Sequence, residues 1–341
     1  MKQWIVTGSE GTDSLHLTDA PTPEPGDYEI LVKFHAASLN FRDLMMVNGT
    51  YYWPKKENLV PGSDAAGEVI QVGPKVSRFS VGQRVSPIFH LSHLYGSLQP
   101  SDMSSQLGCV HDGIFREYAV FNESGCVEIP ATLSYREAAT LPCAGLTAWN
   151  SLYGGARKLQ PGNTVLTQGT GGVSIFALQF ARMGGAQVIS TTSSAEKADK
   201  LRAGGAHLVI NYKDDEEWGH TAKKSSRRGQ GAEFVVEIGG PNTLAQSHNA
   251  VAIDGQIAVI GTRGGSLKDG NSGPSHGANM AVVRRIMVGS RQQFEEMNAA
   301  IEINDLKPVI DATSFHFDDL KEAYTYFQKG QHYGKVIVDF D

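Results

Sequence analysis

At 341 residues, 40% apolar and 19% charged, with a formal net charge of −6, the chain is long enough for two domains with substantial cores. Mild acidity argues against a nucleic-acid-binding face; the one basic run, Lys223-Lys224 with Arg227-Arg228, is flanked by serine and glycine and reads as a solvated loop. No apolar run is long enough to cross a membrane, Met1-Lys2-Gln3-Trp4 leads into a strand rather than a signal peptide, and the three spaced cysteines Cys109, Cys126 and Cys143 suit reduced thiols in a cytoplasmic enzyme.

The N-terminal third predicts short strands at 4–7, 15–17, 29–36 and 67–72, separated by Pro and Gly punctuation such as P-T-P-E-P-G. Between them S-L-N-F-R-D-L-M-M-V-N-G reads as a loop entering a short helix. Further on, Ser134 with Glu137 three residues later forms a capping box that opens a helix.

The most informative stretch spans 165–212. Val165 to Thr167 is short and rich in β-branched residues. Gly169, Gly171 and Gly172 follow at once, and Val173 to Met183 repeats apolar residues at helical spacing. A strand, a glycine-rich turn and a helix form a mononucleotide-binding unit, in which glycine lets the backbone approach a pyrophosphate held by amides at the helix start. Ser174 stands where G-x-G-x-x-G has its last glycine, a position that serves close helix-to-strand packing and tolerates a residue this small.

The second strand of the unit ends in Thr191, Thr192, Ser193 and Ser194, with no carboxylate before Glu196 and with Lys197 next to it. A cofactor lacking the 2′-phosphate is usually held there by an acid; hydroxyls and a cation suit the phosphate instead, which points to NADPH. The same residues also read as a helix cap, Ser194, and a solvated helix charge, Lys197. Beyond, F-V-V-E-I-G-G, Q-I-A-V-I-G and R-R-I-M-V-G-S read as buried strands of a parallel sheet, and the chain closes with the helix F-D-D-L-K-E-A-Y-T-Y-F and the strand K-V-I-V-D-F.

N-F-R-D, V-P-G-S-D-A-A-G-E-V, V-G-Q-R-V, the G-T-G-G-V turn, V-I-N-Y and H-Y-G-K-V-I-V, in this order across nearly the whole chain, resemble the medium-chain dehydrogenase/reductase superfamily. Within it the chain resembles the zinc-independent branch of quinone oxidoreductases and enoyl reductases. The resemblance implies an α/β protein: a GroES-like β-rich catalytic domain from residues 1–143 and 291–341, and a Rossmann doubly wound parallel sheet inserted at 144–290. It also implies a homodimer, since R-R-I-M-V-G-S resembles the edge strand through which many members pair their sheets.

The departures from the family's pattern carry the chemistry. Zinc-dependent members place a Cys, a His-Glu pair and a second Cys around a catalytic metal, and the corresponding positions here are Asn40, Ser63-Asp64 and Cys143. The structural-zinc lobe of four cysteines has as its counterpart a stretch, 86–112, with Cys109 alone, together with His90, His93 and His111. Zinc requires about three sulfur or imidazole donors in a catalytic site, so no metal is expected. Cys143 reads as a small buried residue at a helix start. Without a Lewis acid, hydride delivery to a quinone or an α,β-unsaturated carbonyl is the chemistry that remains easiest, because such acceptors are already electrophilic.

The resemblance places Asn40 and Asp43 beside the nicotinamide, Asn40 as an amide donor and Asp43 as a residue that orients neighbours; Tyr52 is the candidate proton donor. For the cofactor it implies Thr147 near the nicotinamide, amides of Gly171, Gly172 and Val173 on the pyrophosphate, Ser193, Lys197 and Tyr212 about the 2′-phosphate, and backbone groups of Ile260 and Val288 on the carboxamide. The glycine-rich loop after Ile260 is a candidate lid. The expected activity is therefore an NADPH-dependent, zinc-independent reductase of small electrophilic substrates. A zinc-free alcohol or aldehyde oxidoreductase and a non-catalytic NADPH-binding protein are the other readings.

Overall fold

Apolar alternation in the N-terminal third becomes β1 (Lys2–Val6), β2 (Leu15–Asp19), β3 (Glu29–Ser38), β4 (Asp64–Val72), β5 (Arg84–Pro87), β6 (Tyr118–Asn122) and β7 (Cys126–Glu128). Short helices punctuate them: α1 (Phe41–Val47), α2 (Pro100–Met103), α3 (Tyr135–Ala138) and α4 (Leu146–Tyr153). The middle of the chain alternates β8 (Thr164–Gln168), α5 (Gly172–Met183), β9 (Gln187–Thr192), α6 (Ala195–Ala203), β10 (Leu208–Asn211), α7 (Trp218–Ser225), β11 (Ala232–Glu237), α8 (Leu244–Ala250), β12 (Val251–Val259) and β13 (Val282–Arg285). The chain then returns through α9 (Arg291–Ile303), β14 (Ile310–His316), α10 (Leu320–Gln328) and β15 (Lys335–Asp339). These elements come from a computed structural model that describes residues 1–261 and 280–340. Two compact units result, Met1–Leu146 with Val288–Asp341 and Thr147–Met287.

The first unit is organised on β3, the longest of the described strands. β4 pairs antiparallel along one edge of it. On its other edge β6 covers residues 29–33 and β15 covers 36–38. A central strand of this kind buries both faces, and Ile30, Val32, Phe34 and Ala37 are all core residues. Phe34 meets Phe121 and Phe340 at centroid distances of 6.1 and 6.0 Å, and Phe340 meets Phe317 at 4.8 Å. Side chains from both ends of the chain thus share one core. With each fully buried aromatic contributing about 2–3 kcal/mol, the closing segment is held far more by this packing than by strand hydrogen bonds alone.

The second unit has the strand order β10-β9-β8-β11-β12-β13, every pair parallel. Counted from β8 this is 3-2-1-4-5-6, the doubly wound Rossmann order, with its reversal between β8 and β11. β8 is buried along its whole length and β11 at all but Glu233, as a sheet covered on both faces demands. At the ends of these two strands, the buried Glu237 accepts from the Gly239 and Gly240 amides at 2.7 and 2.9 Å, from Thr243 Oγ1 at 2.5 Å and from Gln168 Nε2 at 2.8 Å. A buried carboxylate so fully bonded locks the crossover loops in place.

Two sequence expectations need correction. R-R-I-M-V-G-S is strand only at its first two residues, the end of β13 (Val282–Arg285), and those two arginines are not buried, whereas Ile286 and Val288 beyond them are. Ile286 N still donates to Val259 O at 2.9 Å, but Val288 takes φ +54°, a left-handed conformation that ends a ladder and is costly for a β-branched residue. Cys143 lies within the widened π-type turn Leu141–Gly145 instead of at a helix start. The glycine-rich lid loop, beyond Gly261, lies outside the described residues. The capping box at Ser134 is present, with Ser134 N donating to Glu137 Oε2 at 2.8 Å.

Candidate functional site

In the first unit, the sheet's register assembles a buried polar cluster. β3 and β15 pair Ser38 with Ile337, and the ladder runs on past the end of β3 as Leu39 N donates to Val336 O at 3.1 Å. One step further, Lys335 stands opposite Asn40. On the other side of β3, Ser38 pairs with Asp64 at the start of β4. Three neighbouring strand ends therefore converge, bringing together residues almost three hundred positions apart.

Within this cluster Lys335 Nζ donates to Leu39 O at 2.7 Å and to Asn40 Oδ1 at 2.6 Å, and lies 3.8 Å from Asp64 Oδ2. Lys335 is 2% exposed and Asp64 fully buried. Asp64 also accepts from Ser63 Oγ at 2.7 Å and from the Cys143 amide at 3.0 Å. Burial pushes the Asp64 carboxyl above its ordinary range, and Lys335 opposes that rise. The Asn40 amide lies near enough to favour the ionised carboxylate, yet among the described residues the buried Nδ2 makes no hydrogen bond of normal geometry. An unsatisfied buried donor of this kind is costly, and a ligand oxygen would satisfy it.

Asn40 caps α1. Its amide donates to Asp43 Oδ2 at 2.8 Å while the Asp43 amide donates back to Asn40 O at 3.0 Å. Asp43 is 1% exposed and lies 3.4 Å from Arg42 NH1. Its carboxyl is raised to about 6, by burial first, against the pull of Arg42. Arg42 donates to Gly108 O at 3.0 Å and stacks over the rings of Phe89 and Tyr51, at 4.9 and 5.2 Å. Tyr52 packs its ring 4.5 Å from Tyr51 but is 58% exposed; partial burial and Tyr51 hold its phenol above the usual range, which disfavours it as a source of protons. Val288, also in this unit, is buried.

The residues corresponding to a catalytic zinc site do not suit one. Asn40 Oδ1 and Asp64 Oδ2 face an ammonium, and burial pushes the Cys143 thiol far up, away from the thiolate that zinc binds. Among the described residues no three His, Cys, Asp or Glu side chains are grouped to hold a metal. His90 and His93 are buried with ring centroids 6.3 Å apart; burial, then His93, takes His90 down to about 3, so it stays neutral.

In the second unit, β8 ends in a turn suited to a dinucleotide. Gly169 takes φ +72°, which glycine alone adopts freely. Gly171 has an ordinary extended backbone, and a Cβ there would meet nothing within 4 Å. Nothing in the chain itself requires glycine at 171, so the space it leaves open is available to a ligand. Gly172, Val173 and Ser174 form the first turn of α5, whose amides have no partner within the helix. Ser174 Oγ ties α5 back to Gln168 O at 2.5 Å.

At the neighbouring strand ends Asn211 pairs with Thr192, and the Tyr212 amide donates to Thr192 O at 3.1 Å, which puts Tyr212 beside the Ser193 turn. Ser194 caps α6 by accepting from the Lys197 amide at 3.3 Å. Glu196, the one nearby acid, faces Lys200 at 2.8 Å. Ile260 N donates to Glu237 O at 2.9 Å, fixing the backbone at the end of β12. Thr147 is buried in α4, its carbonyl accepting from Ser151 Oγ at 2.7 Å. These contacts fit a phosphorylated dinucleotide along the strand ends.

The alcohol dehydrogenase GroES-like domain family matches residues 26–131, and the zinc-binding dehydrogenase family matches 172–302. A zinc-type alcohol dehydrogenase-like protein of Schizosaccharomyces pombe is 43% identical over 340 residues, covering 97% of this chain and 96% of that protein. The chain belongs to the medium-chain dehydrogenase/reductase superfamily. Its β-rich unit is the superfamily's GroES-like domain and its parallel sheet the Rossmann domain. The crystal structure of a candidate alcohol dehydrogenase from Sinorhizobium meliloti superposes with a TM-score of 0.91 at 36% identity, covering 99% of each chain. An acryloyl-coenzyme A reductase of Metallosphaera sedula is 27% identical over 351 residues, covering 99% of both.

The resemblance pointed to Asn40 and Asp43, which lie side by side, and to Ser193 and Tyr212, which follow neighbouring strand ends, with Lys197 in the first turn of α6. N-F-R-D and H-Y-G-K-V-I-V contain Arg42 and Lys335, but the motifs gave neither a role, because Phe89 and Gly108 beside Arg42, and Asn40 and Asp64 beside Lys335, lie far off in the chain.

The raised Asp43 carboxyl has a definite consequence for stability. Its folded value, about 6, lies above its ordinary 3.8, so the folded state holds this proton more tightly. The resulting stability is present below about pH 4 and is lost as pH rises through 6. The melting temperature of the wild type is expected to fall more between pH 4.5 and 7 than that of Asp43→Asn; parallel profiles would show that Asp43 does not carry this proton.

Proposed function

We propose that the protein is an NADPH-dependent oxidoreductase that reduces a conjugated electrophile, an α,β-unsaturated carbonyl or a quinone, without a metal. The observation that carries this reading is an amide donor, Asn40 Nδ2, that makes no hydrogen bond of normal geometry among the described residues and whose carboxamide is bonded to an ammonium in place of metal ligands. Bound NADPH would supply the hydride. Asn40 would donate to the acceptor oxygen on which negative charge develops, the role a metal plays in alcohol oxidation. Asp43 would hold the Asn40 backbone, and Tyr52, with its phenol held above the ordinary range, would give up a proton only to a strongly basic enolate oxygen or carbon.

Gly171, Gly172 and Val173 would bind the pyrophosphate, and Ser193, Lys197 and Tyr212 the 2′-phosphate. The absence of an acid between Thr191 and Ser194 supports NADPH over NADH. Thr147 and the backbones of Ile260 and Val288 would hold the nicotinamide. The acryloyl-coenzyme A reductase relative supports a conjugated acceptor. The alcohol dehydrogenase-like name of the S. pombe relative supports the second reading, an alcohol or aldehyde oxidoreductase.

Chelator-treated protein assayed with an ortho-quinone, a linear enone, an enal and a saturated aldehyde, each with NADPH and NADH, separates these. Turnover of quinone or enone with NADPH is expected, with Lys197→Ala lowering the NADPH preference by roughly tenfold, about one charge-assisted contact. Reduction of the saturated aldehyde alone, or a preference for NADH, would contradict the proposal. The exposed Val282 and Val283 on β13, an edge among the described strands, support a homodimer through that edge; sedimentation at twice the chain mass is expected, and monomer mass would contradict it.

A further inference from the structure

We propose that Lys335 is a positioning residue for the reduction: it fixes the Asn40 carboxamide with Oδ1 inward, so that Nδ2 is always the atom offered to the acceptor. The inference rests on the reading of Asn40 given above and adds the device that makes that reading work. An asparagine amide is ambivalent, since its oxygen accepts and its nitrogen donates, and the two ends are nearly equal in shape. Presented the wrong way round, Asn40 would meet an acceptor oxygen with its own oxygen and repel it. A lysine ammonium has three donors and no acceptor, so only Oδ1 can face it. The 2.6 Å contact from Lys335 Nζ to Asn40 Oδ1 therefore removes one of the two orientations.

Lys335 is itself placed without slack. Its Nζ is held by Leu39 O at 2.7 Å, and its β15 backbone follows the antiparallel register that continues from the Ile337 pairing with Ser38. Asp64, held by Ser63 and the Cys143 amide, balances the charge from 3.8 Å. The ammonium also draws electron density from the carboxamide, which makes the opposite N–H groups stronger donors toward developing negative charge. Burial keeps this effect from being screened by water. Asn40 Nδ2, the atom so polarised, makes no hydrogen bond of normal geometry among the described residues, although the amide lies close enough to Asp64 to favour its carboxylate.

The test is a double-mutant cycle on Asn40 and Lys335, reading kcat and KM for the best acceptor of the panel. Asn40→Ala is expected to lower kcat by roughly 100-fold, the effect of losing one donor to developing charge. Lys335→Met is expected to lower kcat by about tenfold with Asn40 present, and to cause no further loss in the Asn40→Ala background. A lysine that merely supports the fold would lower both backgrounds alike, and that result overturns the proposal while leaving the role of Asn40 intact. Undiminished kcat in Asn40→Ala, or no turnover of any acceptor, would instead overturn the reading on which the proposal rests. Because Lys335→Met leaves Asp64 buried without its counter-charge, the cycle is run in parallel on Lys335→Met with Asp64→Asn, set against Asp64→Asn alone. The same non-additivity is expected there.

Discussion

The buried ion pair between Lys335 and Asp64 is the constraint on which the catalytic unit depends. Neither residue can be left alone in that interior, because removing one partner of a buried pair typically costs about 3–5 kcal/mol. The cost is met by register. β4 delivers Asp64, β3 delivers Leu39 and Asn40, and β15 delivers Lys335, all to the same end of adjacent strands. The first and last segments of the chain must therefore pair correctly before the cluster exists. A slip of one residue in β15 would turn Lys335 to the opposite face and bury the carboxylate uncompensated.

The same arrangement supplies positive charge at the strand ends of the first unit from a side chain. A metal brings positive charge to a place where an oxygen gains electrons. In this chain the positive charge at the strand ends is an ammonium, and it is bonded to an amide whose other end is unsatisfied. An amide polarised in this way is weaker than a Lewis acid. It suits acceptors in which conjugation already spreads the incoming charge, and it suits simple alcohols poorly. The second unit asks less of the sequence: a glycine-rich turn, the start of α5 and the hydroxyl-rich end of β9 lie along one edge of a sheet whose crossover loops are locked by Glu237.

What was legible in the sequence was whatever is local. The turn at Gly169 to Gly172, the caps at Ser134 and Ser194, and the alternation of β3 and β4 each depend on residues within a few positions of one another. Family motifs extended this to Asn40 and Asp43. What was not legible depends on long-range register. Lys335 stood in the motif H-Y-G-K-V-I-V without a role, because its partner lies 295 positions away. R-R-I-M-V-G-S misled for a related reason: composition records β-propensity, but the left-handed turn at Val288 is set by its surroundings. Cys143 was read as a helix-start residue because π-type turns leave no clear periodicity.

The carbon that receives the hydride in the absence of metal decides between a conjugated acceptor and a simple carbonyl. Protein shown by elemental analysis to contain no zinc would be given a linear enone and NADPH deuterated at the transferred position of C4, and the product examined by NMR. Deuterium at the carbon β to an intact carbonyl is the predicted result. Deuterium on a carbinol carbon, or turnover that returns only when zinc is added, would contradict the account.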